Sequence, residues 1–186
     1  MKKLDLTNIE EAGNGGQRLP AGGYVCRITK VEDFEANEYL RFEFDIHSGE
    51  YKDYFKKGFE RLHMWPYDGS YIRSYKPAAL PFFKRMCSAI SKSNGNFVFD
   101  GGQVNSDEQT LVGKCIGLVL GEEEYIGNDG NIRTRLRVAN EYTVADINNG
   151  NFKVPDPKKL PEDSVAQSTP QFTEQAVSED DDLPFA

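Results

Sequence analysis

The sequence predicts a mostly β domain of five strands and one helix, followed by an acidic tail. Three observations carry that prediction. Leu40, Phe42, Phe44 and Ile46 alternate without a break against Arg41, Glu43, Asp45 and His47, the period of a strand with one buried and one wet face. Asp129-Gly130 stands between two β-rich runs, as a hairpin turn requires. One stretch alone, from Pro77 or Pro81 to Asn94-Gly95, repeats apolar residues at helical spacing, with Phe83, Met86 and Ile90 on one face and Phe82 and Ala89 beside them.

The elements follow in order. A first strand runs from Tyr24 to Val31, with Tyr24, Cys26 and Ile28 on one face, and the alternating run from Leu40 to His47 is the second. A third, less regular strand is read from Phe59 to Trp65, closed by turn chemistry in Tyr67-Asp68-Gly69-Ser70. The helix comes next. Val112 to Leu120 is the fourth strand and Ile132 to Val144 the fifth, which sets Ile132, Leu136 and Val138 against Arg133, Arg135 and Arg137 on the opposite face. Three strands, a helix and two strands is the element order of the five-stranded OB-fold barrel, whose helix lies between strands 3 and 4. An open sheet covered by one helix is the alternative; closure is favoured because it removes exposed edges.

At 186 residues the chain is long enough for one domain with a tail, and no run approaches the roughly 18 apolar residues of a membrane span. Met1-Lys2-Lys3-Leu4-Asp5 leads into polar sequence, so no export signal is expected. Cys26, Cys87 and Cys115 form no CxxC pair, and with only His47 and His63 beside them no metal-ligand spacing arises; they read as small packed thiols. The net charge of −8 is unevenly placed. Residues 161–186 hold seven acids and no Lys or Arg, which leaves 22 basic residues against 23 acids in the first 160. The predicted organisation is a flexible leader (1–19), a folded domain (20–160) and a disordered acidic tail (161–186). The tail closes on Asp180, Asp181, Asp182, Leu183, Pro184 and Phe185, an apolar anchor behind an acidic run, which suits a short partner-binding motif.

Between Tyr51 and Arg85 the balance reverses: eight basic residues stand against three acids, together with ten of the chain's 22 aromatics. Rings interleaved with cations suit a single nucleic-acid strand, since bases stack on rings while Lys and Arg track phosphates. Phe59, Phe82 and Phe83 are expected in the core. Trp65, Tyr67, Tyr71 and Tyr75 lie in turn-rich sequence with no apolar period to bury them and are the stacking candidates; Arg61, Arg73, Lys76, Arg133, Arg135 and Arg137 are the phosphate contacts. The arginine stripe has a competing use, since Glu122, Glu123 and Glu124 lie on the other arm of the hairpin and can pair across it. No glycine-rich phosphate loop occurs, and His63 has no evident Ser or Cys partner, so neither catalysis nor a cofactor is expected.

The end of the chain, Glu179-Asp180-Asp181-Asp182-Leu183-Pro184-Phe185, resembles the acidic tip of bacterial single-stranded DNA-binding proteins, differing by Ala186 after Phe185. The body carries Trp65, Tyr71-Ile72-Arg73-Ser74-Tyr75-Lys76, Leu80-Pro81-Phe82-Phe83-Lys84, Gly113-Lys114, Gly121-Glu122-Glu123-Glu124-Tyr125 and Phe152-Lys153-Val154-Pro155. It resembles a family of small single-stranded DNA-binding proteins from phages and mobile elements of Gram-positive bacteria. The resemblance implies an OB barrel that binds and protects single strands, without sequence preference, during replication or recombination in the cytoplasm of a bacterial host. It also implies a tip that recruits replication and recombination proteins. Self-assembly is expected, because one small barrel offers a short track. The rival readings are a protein-interaction adaptor, a strand-annealing recombination accessory factor and, least supported, a magnesium-dependent nuclease using the acidic triplet.

Overall fold

The computed structural model describes residues 18–99, 101 and 107–161. The leader to residue 17 and the tail from residue 162, with its tip, lie outside the described residues. Arg18 and Leu19, assigned to the leader by sequence, are packed on the body. The Leu19 side chain is buried, its N–H donates to the Tyr54 hydroxyl at 3.2 Å, and Arg18 donates to the Thr134 carbonyl at 2.9 Å.

Five strands form one antiparallel sheet: β1 (Gly22–Phe34), β2 (Tyr39–Ile46), β3 (Ser70–Ser74), β4 (Cys115–Ile126) and β5 (Ile132–Tyr142), in the order β3-β2-β1-β4-β5. In β2 the apolar face read from sequence holds, with Leu40, Phe42, Phe44 and Ile46 all buried, but Asp45, read on the wet face, is buried as well. In β1 the period breaks after Ile28, where a bulge shifts the register before Lys30 and returns Val31 to the buried face. The β4–β5 hairpin turns at Asp129-Gly130, and the fourth strand starts at Cys115 and continues to Ile126, beyond the predicted Leu120. A second bulge, at Ala139, puts Glu141 opposite Leu118 on the inner face, where strict alternation would have put Asn140.

Among the described residues three α-helices accompany the sheet. Helix α1 (Tyr54–Leu62) replaces the predicted third strand, and the true β3 falls where sequence indicated only turns. Its first turn is held from β2, since the buried Asp45 carboxylate accepts N–H bonds from Phe55 at 3.0 Å and Lys56 at 3.1 Å. Helix α2 (Leu80–Ser93) lies between β3 and β4 as expected and buries Met86, Ala89 and Ile90. Phe83 packs against the core, but Phe59 and Phe82, also expected there, are exposed. Helix α3 (Val144–Asn148) and residues 152–155 cover the outer face of β1 and β4. Three glycines make room for them: a Cβ at Gly117 would meet Ile147, one at Gly23 the Phe152 ring and one at Gly121 Pro155, at 2.5, 2.5 and 2.9 Å.

The closed barrel expected from sequence is corrected to an open sheet, because no backbone ladder joins β3 to β5. Part of the free edge of β5 is already engaged: Asp68 accepts from the Leu136 N–H at 3.5 Å, and Arg18 takes the Thr134 carbonyl. Side chains link the two edges instead. Arg73 on β3 donates to the buried Glu141 on β5, and Arg85 of α2 reaches the same carboxylate at 3.3 Å.

Candidate nucleic-acid interface

The open seam between β3 and β5 is a cleft of about 220 Å³, lined by Tyr67, Ser70, Tyr71, Ile72 and Arg73 on one side. Glu123, Arg135, Leu136, Arg137 and Val138 line the other. Its rim combines aromatic and cationic groups. Tyr67, in a 3-10 turn just before β3, is 68% exposed and lies 5.0 Å from the Arg135 guanidinium; the Tyr125 ring stands at the same distance from it. Arg135 is thus within cation–π range of both tyrosines. Ile72 on β3 is exposed, as are Phe59 on α1 and Met64 beyond it.

The cations on the β5 side are organised by one carboxylate. Glu123 and Arg135 are direct cross-strand partners, and Glu123 accepts from Arg135 at 3.1 Å, Arg137 at 2.8 Å and Lys158 at 2.9 Å. The pairing weighed from sequence is therefore present, and Lys158 adds a cation no local signal indicated. It arrives through a parallel bridge that lays the segment around Lys158 along β4, with the Glu124 N–H donating to the Lys158 carbonyl at 2.8 Å and the Lys158 N–H to the Glu122 carbonyl at 2.9 Å. Lys158 first, then Arg135 and Arg137, hold the Glu123 carboxyl down at about 2 against the desolvation that would raise it. Three cations share this one carboxylate, and the Asp68 carboxylate, on the Leu136 N–H, also lies within electrostatic reach of Arg135.

The remaining sequence candidates are dispersed. Trp65 is half-buried: its indole N–H donates to the Gly69 carbonyl at 2.9 Å, and its ring lies 6.1 Å from that of Phe59. Tyr71 is not an exposed ring. It stacks on Phe42 at 5.0 Å and meets Phe44 edge-on, and its buried hydroxyl has no hydrogen-bond partner among the described residues. Burial pushes its phenol well above the ordinary range. Arg73 faces inward to Glu141 and lies 5.7 Å from the Tyr71 ring.

Tyr75 and Lys76 belong to a different place. Tyr75 lines a separate groove beside α2, donates to Asp33 at 2.8 Å and packs edge-on against Phe83. Desolvation and the bond to Asp33 push its phenol up to about 12. Arg133 pairs with Asp129 at 2.6 Å in the hairpin turn, while Arg61 and Lys76 are exposed and have no ion pair among the described residues. Of the ten candidates, Tyr67, Arg135 and Arg137 therefore meet at the mouth of the cleft, with Tyr71 and Arg73 behind them. Sequence reasoning passed over Ile72, Tyr125 and Lys158 as site residues; only the fold brings them to this rim.

Among the described residues no group of three or more His, Cys, Asp or Glu side chains is placed to hold a metal ion, and no helix is long and apolar enough to cross a membrane. A scan against protein-family models and a search of curated proteins return no match to this chain.

Proposed function

We propose that this protein binds single-stranded DNA without sequence preference, and that the β3–β5 rim is where the strand lies. The observation that carries the reading is the exposed Tyr67 ring beside the Glu123-held cations, a base-stacking surface next to a cationic track in a chain whose net charge is −8. The strand order supports an OB-type architecture: β1, β2 and β3 form a meander, β4 pairs with β1, and β5 lies between β4 and the free edge of β3. The role is binding rather than chemistry, with the acidic tip recruiting replication or recombination proteins of a phage or mobile element in its host.

Fluorescence-anisotropy titration of labelled dT oligomers against a duplex of equal length, at two salt concentrations, tests the proposal. The single strand is expected to bind more tightly, with affinity falling as salt rises. No binding at low salt, or a preference for the duplex, would overturn it.

A further inference from the structure

We infer that the β3–β5 cleft is a nucleotide subsite: it takes one unstacked base of the bound strand, with that nucleotide's phosphate on the cations around Glu123. This inference rests on the single-strand reading above and adds a specific geometry to it. A cleft of about 220 Å³ is smaller than the roughly 300–1,000 Å³ of sites for drug-sized ligands and suits one planar base. Its mouth has the parts a nucleotide needs. The guanidinium of Arg135 lies 5.0 Å from the Tyr67 ring, which at 68% exposure retains free surface for a base. Arg137 and Lys158 both reach the same oxygen of Glu123, and with Arg135 on the other they outnumber its single negative charge. A phosphate there meets cations already gathered and aligned.

The walls supply the polar edge. β3 and β5 are the two outer strands of the sheet, so each carries backbone N–H and C=O groups that no neighbouring strand takes up. Among the described residues the Leu136 N–H is held by Asp68 alone, at 3.5 Å, the long limit of a hydrogen bond, and a base carbonyl can compete for a donor held so loosely. A base between two strand edges meets such groups whatever its identity. The subsite therefore accepts any base while requiring that it leave the stack.

The test follows backbone amide signals of the full chain as dTMP is added, with inorganic phosphate and thymidine as comparison probes and a dT oligomer titrated into the same preparation. The subsite predicts saturable dTMP shifts at Tyr67, Ile72, Leu136 and Arg137, with inorganic phosphate moving only signals near Glu123 and Lys158. It also predicts that Tyr67→Ala weakens the dTMP response several-fold while leaving the phosphate response intact, and that Arg137→Gln weakens both. If dTMP moves these amides no more than inorganic phosphate does while the oligomer still binds, the subsite is overturned and the single-strand reading stands. If the oligomer fails to bind as well, both fall together.

Discussion

Tyr67 and Tyr71 lie four residues apart and have opposite surroundings. Tyr67 is exposed, its ring near Arg135, whereas Tyr71 is packed between Phe42 and Phe44 with its hydroxyl unpartnered. From sequence the two were equivalent, because turn-rich flanks gave neither an apolar period. The strand pairing that places Tyr71 opposite Phe42 is a tertiary fact, outside any local pattern. Their substitutions should separate cleanly. Tyr71→Phe keeps the ring contacts and removes a buried unsatisfied hydroxyl, so stability in urea should rise by about 1 kcal/mol with DNA affinity unchanged; a loss of stability would show that the hydroxyl is satisfied. Tyr67→Ala should lower dT-oligomer affinity about tenfold, one stacking increment, while stability stays within about 0.5 kcal/mol. Wild-type affinity would remove Tyr67 from the interface.

At the scale of elements, the parts fixed by short-range pattern were legible and those fixed by distant partners were not. The β2 alternation, the Asp129-Gly130 hairpin and α2 each follow from spacing alone. Helix α1 did not, because its N-terminal N–H groups are satisfied by Asp45, ten residues upstream of Phe55 on another element. Asp45→Ala should cost about 2 kcal/mol, by leaving buried N–H donors unpaired, with the loss read as a lower urea midpoint. A neutral result would mean that α1 is capped another way. The β4–β5 hairpin carries the second element-scale prediction. Glu123 has a folded pKa of about 2, below its ordinary 4.5, so its contribution to stability is complete above pH 4.5 and is lost as pH falls toward 2. In Glu123→Gln that part of the acid dependence should flatten, and stability at neutral pH should drop by about 2 kcal/mol. An unchanged acid-unfolding profile would contradict the role given to Lys158, Arg135 and Arg137.

For the whole molecule, sequence supplied four of the five strands and the helix ahead of the fourth, but it placed the third strand on what is helix α1 and read β3 as turns. It missed the open seam, because closure depends on whether two edges meet, and side chains such as Asp68 and Arg18 engage part of one of them. The candidate site was legible as composition, a cationic and aromatic window in an acidic chain. Its assembly was legible only in part: Arg135 and Arg137 were named from sequence, but Tyr125 and Lys158 come to the rim only through the β4–β5 pairing and the bridge to β4. Charge distribution gives a further prediction at this scale. Residues 161–186 carry seven acids, and the described chain ends beside the Lys158 cluster, with the Leu160 N–H on Glu124 at 3.2 Å. Deleting residues 162–186 should tighten DNA binding, most at low salt, where an attached polyanion competes best for the cations; unchanged or weaker affinity would dismiss that competition. The most direct test of the account compares two double variants in dT-oligomer binding, each first shown to be folded by circular dichroism. Tyr67→Ala with Arg137→Gln should lose at least about tenfold in affinity, and Tyr75→Ala with Lys76→Gln, beside the α2 groove, should bind like wild type. The reverse pattern would contradict the account and place the strand along α2.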